Sequence, residues 1–166
     1  MPELSEWIKL YRSANPIVRK RALEALLKLN DPELCPLILS AFVEYYCRGF
    51  GAALERWLFA QKCPGALEAM ISALKHNDPA IREGACSVLG SLGDRNATWP
   101  LVQALSDPHL MVRRQAAFAL ASLRDPESAN AIKARYAVSR NDDINVRFAL
   151  ECALQELGVT FEKWPL

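Results

Sequence analysis

The chain has 166 residues, 51% of them hydrophobic, and its 20 Lys+Arg against 19 Asp+Glu leave a formal charge of +1. That balance provides no sequence-wide basic field for nucleic acid, and the apolar content excludes disorder. No apolar run reaches the roughly 18 residues of a membrane span, and the acidic start Met1–Glu6 lacks the order of a secretory signal, so a soluble, cytoplasmic single domain is expected.

Leu4–Ser13, with Trp7, Ile8 and Leu10, reads as an N-terminal capping helix. Beyond it, four segments align without gaps on one arginine each: Arg19, Arg82, Arg113 and Arg147. A β-branched residue precedes every anchor (Val18, Ile81, Val112, Val146). Three residues on stands Ala22, Ala85, Ala116 or Leu150. Seven on is Leu26, Leu89, Leu120 or Leu154, and ten on is Leu29, Leu92, Leu123 or Leu157. These offsets trace one face of a helix. Anchor spacings of 31 (Arg82 to Arg113), 34 (Arg113 to Arg147) and 63 (Arg19 to Arg82) leave room for one degenerate copy near Gly51, with Leu54 and Leu58 on its inner face.

A period in the low thirties accommodates two short helices and two turns. The fold class predicted is all-α, a right-handed α-solenoid of about five helical hairpins. Asn15-Pro16, Asp78-Pro79, Asp107-Pro108 and Asp142-Asp143 precede the first helices as capping turns. Second helices are expected over Glu33–Tyr46, Gly65–His76, Ala97–Ser106 and Ser128–Arg140. The single domain then divides into a capping helix (4–13), repeats at about 14–46, 47–77, 78–106, 107–140 and 141–158, and a tail (159–166). The last unit has no second helix, and Val159, Phe161, Trp164 and Leu166 are expected to fold back over it.

The run Gly93–Leu105, followed by Val112-Arg113-Arg114-Gln115-Ala116-Ala117, resembles the HEAT-like repeat of the phycobilisome-lyase type. The resemblance implies that the repeat arginines pair with acidic turn residues of a neighbouring repeat, with Asp78, Asp94, Asp107 and Asp125 as candidates. It also implies a range of activities, from scaffolds to bilin lyase subunits, and a shared fold does not choose among them.

Catalytic chemistry finds little support in the residues. His76 and His109 lie beside turns without the His-Glu pairs of helical-repeat di-iron enzymes, and the cysteine spacing supplies no zinc cluster, so no metal is expected. Cys35, Cys47, Cys63, Cys86 and Cys152 contain no C-x-x-C pair and read as buried small hydrophobes in a reducing cytosol. Cys47, beside Arg48, is the strongest candidate for a reactive thiol. No phosphate-binding glycine loop is present, and a base-flipping groove is disfavoured by the charge balance.

Recognition of another protein remains, across the concave face lined by the second helices. Equivalent positions there form rows: Pro36, Glu68, Trp99 and Asn130; Ser40, Ser72, Gln103 and Ala134; Glu44, His76, Asp107 and Val138. Trp99 either faces outward as a binding anchor or packs on the preceding second helix. A second cluster, Tyr45, Tyr46, Arg48, Arg56 and Trp57 with Phe42, Phe50 and Phe59, lies where the repeat degenerates. It reads either as a bulkier core or as a docking patch. Lys133, Arg135 and Arg140 add positive charge to the last second helix. The reading is a non-catalytic, cofactor-free, protein-binding scaffold, whose partner could be a sister HEAT-repeat subunit. The alternative implied by the resemblance is one subunit of a heterodimeric bilin lyase or chromophore chaperone, with Arg48 or Arg56 meeting propionates.

Overall fold

Ten helices and no strand occur among residues 4–29, 31–45 and 51–162, which a computed structural model of the chain describes. They are α1 (Leu4–Tyr11), α2 (Pro16–Leu26), α3 (Cys35–Tyr45), α4 (Gly51–Gln61), α5 (Ala66–Ala73), α6 (Pro79–Leu92), α7 (Thr98–Ala104), α8 (Leu110–Leu123), α9 (Ala129–Ala137) and α10 (Ile144–Glu156). None is long and apolar enough to cross a membrane.

The starts of these helices follow from side-chain caps. Asn15, Asp78 and Asp143 accept from the amides of Ile17 (2.9 Å), Ala80 (2.9 Å) and Asn145 (2.8 Å) at the heads of α2, α6 and α10. Asp31, Asp94 and Asp125 cap 3-10 turns, Pro32–Leu34, Arg95–Ala97 and Pro126–Ser128, that lead into α3, α7 and α9. Because that first turn is 3-10, the α-helices of the second layer begin one or two residues later than the spacing predicts. Gly93, at φ +70°, ends α6 in the left-handed conformation that glycine adopts without strain.

The inner face predicted from the repeat is the core. Ala22, Ala85, Ala116 and Leu150, and Leu26, Leu89, Leu120 and Leu154, are all 0% exposed. Leu54 and Leu58 of the degenerate unit are equally buried. Val18, Leu92 and Leu157 of the predicted face are half-buried, and Leu29, in the turn after α2, is exposed.

First helices stack directly on one another, α6 on α8 and α8 on α10. Small residues permit the approach: a Cβ added at Gly90 would lie 2.8 Å from Ala119 Cα and 2.9 Å from Ala119 Cβ. Mid-helix glycine normally costs about 1 kcal/mol relative to alanine. Here the sign inverts, and Gly90→Ala is expected to destabilise the fold by about 2 kcal/mol through overpacking against backbone. Urea midpoints of the two proteins check this, and a raised midpoint would refute the close contact.

Across the first layer runs a series of arginine clamps. Arg82 donates through Nη1 to the carbonyls of His76 (2.8 Å) and Asn77 (3.0 Å) in its own turn. Its Nε and Nη2 form a fork on Asp107 of the next turn, at 2.7 and 2.8 Å. Arg113 repeats the pattern, reaching the carbonyls of Asp107 and Pro108 and then Asp142 at 2.5 Å. Arg19 donates to the carbonyls of Ser13 and Ala14. Two of the four proposed acidic partners are corrected: Asp94 is occupied as a cap, and Asp125 accepts from the Thr98 hydroxyl at 2.6 Å. Asp142, absent from that set, is the carboxylate that takes Arg113, and Arg135 of α9 pairs with it as well.

At the far end, Val159 and Phe161 pack on the core, and the Phe161 ring meets Tyr136 edge-on at 5.2 Å. Trp164 and Leu166 lie outside the described residues. At the near end, the cysteine reading is corrected. Cys35 at the head of α3 and Cys63 in the turn before α5 form a disulfide, their Cα atoms 5.5 Å apart and both residues buried. The two sulfurs are bonded to each other, where the sequence reading has separate thiols.

Candidate protein-docking face

The second helices project one row of side chains away from the core, and α7 shows how the local sequence enforces this. Thr98 and Leu101 are buried, so the 100° step per residue turns Trp99 and Gln103 outward. The Thr98 hydroxyl, bonded to buried Asp125 of the following turn, fixes the head of the helix and therefore the direction of its neighbour Trp99. Trp99 is 58% exposed. All eight positions of the first two predicted rows, Pro36, Glu68, Trp99, Asn130, Ser40, Ser72, Gln103 and Ala134, are exposed.

The third row behaves differently. His76 Nδ1 accepts from the Asp78 amide at 3.0 Å, and Asp107 is held by Arg82, so both are half-buried. Val138, by contrast, is 72% exposed; the Glu44 side chain lies outside the described residues.

Grooves open in both layers: one of about 510 Å³ lies between the first helices α2 and α4, walled by Glu24, Lys28, Ala53 and Arg56. Between α5 and α7 a groove of about 230 Å³ is lined by the apolar Ile71, Leu74, Pro100 and Ala104, with exposed Lys75 and Gln103 among its walls. Trp99 precedes Pro100, a wall residue of this groove, on the exposed side of α7. A flat aromatic ring next to an apolar slot with hydrogen-bonding groups around it can seat a side chain of another protein.

Of the Tyr45–Trp57 cluster, Arg56 and Trp57 line the groove between α2 and α4. Trp57 is only 4% exposed, and its Nε1 donates to the Leu29 carbonyl at 3.0 Å, so the ring fills the junction between α2 and α4 as core. That corrects its place among docking residues: in a repeat lacking the anchor arginine, the bulky ring occupies the space and satisfies a hairpin carbonyl. Arg56 is exposed, with Nε on the Ala52 carbonyl of its own helix. The Tyr45 side chain, Tyr46, Cys47 and Arg48 lie outside the described residues. Arg135, read only as local positive charge, is a structural group that ties the Leu105 carbonyl (2.9 Å) to Asp142.

Electrostatics reinforce the cross-repeat ties. The Thr98 hydroxyl, aided by the Glu127 amide and Arg95, holds the Asp125 carboxyl below its usual range against the effect of burial. For Asp107 and Asp142 burial pushes upward, but the arginines and the amides of His109 and Asp143 outweigh it, and both end lowered. A carboxyl lowered in the folded state stabilises above its unfolded value near 4 and loses that contribution as pH falls through the folded value. The melting temperature is therefore expected to hold between about pH 5 and 7 and to drop below about pH 4. A melting temperature that rose on acidification would contradict the three assignments. Cys86 is excluded as a thiolate, since burial pushes its thiol up to about 12.

Against known proteins, the family described as HEAT repeats matches residues 52–109 and 67–155. No curated protein matches the chain. Among solved structures, the crystal structure of an engineered protein from the Northeast Structural Genomics Consortium superposes with a TM-score of 0.59 at 17% identity, covering 95% of this chain and 80% of that one. At that identity the likeness concerns the fold alone.

Proposed function

The chain belongs to the HEAT-repeat family, and from that premise we propose that it is a non-catalytic scaffold that docks another protein on its second-helix face. The observation that carries the reading is Trp99, a large aromatic 58% exposed on α7, the helix whose Pro100, Gln103 and Ala104 wall an apolar groove. Glu68, Ser72, Gln103 and Asn130, at equivalent exposed positions of α5, α7 and α9, add uncharged or acidic hydrogen-bonding groups suited to a rim. A sister HEAT-repeat subunit, with its own ridge of side chains, is the kind of partner this face suits.

Trp99→Ala tests the proposal. The variant is expected to lose at least tenfold in affinity for a partner co-purified stoichiometrically with the wild type, consistent with about 1.4 kcal/mol or more at an aromatic anchor. Its melting temperature should stay within about 2 °C, since an exposed side chain contributes little to stability. Unchanged partner binding at unchanged stability would remove Trp99 from the interface.

The bilin reading has no comparable support. It rests on Arg48, Arg56 and an aromatic lining, and of these the Trp57 ring is committed to the core.

A further inference from the structure

The outer face of α10 differs from the corresponding faces of α6 and α8, and the difference has a specific chemistry. Arg82 and Arg113 each reach a carboxylate of the next turn, but among the described residues Arg147 has no carboxylate partner. Around it on the same face, spaced at helical intervals, stand Ile144 (62% exposed), Phe148 (60% exposed) and, one turn on from the arginine, Glu151. Val146, Ala149, Leu150, Ala153 and Leu154 occupy the opposite, buried face. The equivalent of Phe148 is Glu83 in α6 and Arg114 in α8, a pair that approach to 3.9 Å across the layer.

Another first helix cannot lie along this face in the manner of its neighbours. Positions four and eight after the arginine are Cys86 and Gly90 in α6 and Ala117 and Ala121 in α8, all small and buried. In α10 they are Glu151, whose Oε1 accepts from the Tyr136 hydroxyl at 2.9 Å, and the exposed Gln155. Two bulky polar groups thus stand where a close-stacked helix needs small ones.

The same residues are complementary to themselves. A cation and an anion one turn apart on a single helix face match an identical helix running antiparallel about a two-fold axis, because each charge then faces its opposite. We infer that this face is an association site for a second copy of the chain, with α10 packed antiparallel on its twin. Arg147 pairs with Glu151 of the partner subunit, twice by symmetry, and the two Phe148 rings meet near the axis under Ile144. One helix face lies at the small end of the interface range, so the dimer is weak and concentration-dependent.

Sedimentation equilibrium of the full chain, from about 10 µM to about 1 mM, reads this directly. The weight-average mass is expected to rise from 18.5 kDa towards twice that value. Phe148→Ser, Arg147→Glu and Glu151→Lys should each weaken association at least tenfold, while an equimolar mixture of the two charge-reversed variants should regain a one-to-one heterodimer. Glu151→Gln retains the acceptor for Tyr136 and removes the charge; it should weaken the dimer with an unchanged circular dichroism spectrum. Trp99→Ala should leave the dimer intact, which separates this site from the proposed docking face. A chain that stays monomeric throughout, or a mixture that associates no better than either charge variant alone, would overturn the inference.

Discussion

Asp142→Ala is expected to lower the stability of the fold by about 4 kcal/mol, the range found when one partner of a buried ion pair is removed. Asp142 receives Arg113 from α8 and Arg135 from α9, and the charged side chains are only 8–19% exposed. Without the carboxylate, two guanidinium groups face each other with reduced solvation, and the turn that launches α10 loses its tie to both layers. For a chain of this size, 4 kcal/mol corresponds to a fall in melting temperature of roughly 8–16 °C. Asp94→Ala is the matched control. Asp94 caps a turn through the Asn96 amide without a guanidinium partner of this kind, so its loss should cost about 1 kcal/mol. Equal effects of the two substitutions, measured by urea denaturation, would show that the double clamp contributes nothing beyond a cap.

Reducing the Cys35–Cys63 bond is expected to cost about 3–4 kcal/mol, from the chain entropy that closing a 28-residue separation removes from the unfolded state. Both sulfurs lie in the core, Cys35 at 3% and Cys63 at 5% exposure, so the native bond should resist mild reductant and open only with unfolding. Melting with and without a strong phosphine reductant gives the difference. Cys35→Ser should match the reduced protein and become insensitive to reductant. A wild type that melts at the same temperature under both conditions would show that the bond does not stabilise the fold.

The anchor arginines and the leucines behind them were legible because a solenoid repeats its core at fixed intervals, and Ala85, Leu89, Ala116 and Leu120 follow that register without exception. The acidic partners were less legible. The spacing lengthens to 34 residues between Arg113 and Arg147, and the extra residues let one aspartate clamp while its neighbour Asp143 caps. Sequence period alone does not separate those two jobs. Trp99 stayed ambiguous for a different reason: helical phase points it away from the core, but cover by a neighbouring helix depends on the distance between second helices. Trp57 stayed open between core and docking patch because its unit has no anchor arginine to set the register, and the structure places it in the core. The disulfide left a readable trace, since Cys35-Pro36 and Cys63-Pro64 are matching dipeptides roughly one repeat apart, both at the approach to a second helix.

Gly90 against Ala119 has a consequence for how the molecule deforms. The first helices α6, α8 and α10 stack in direct contact, and a close-packed seam of this kind is nearly incompressible. The second helices, parted by grooves such as that between α5 and α7, can move apart or together. Over repeats α6–α10, bending therefore pivots on the first helices, like a spine whose length stays constant, and the strain falls on the second helices. Under the proposed function, a partner side chain seated between α5 and α7 would act as a wedge on that side, and docking would change the curvature of these repeats.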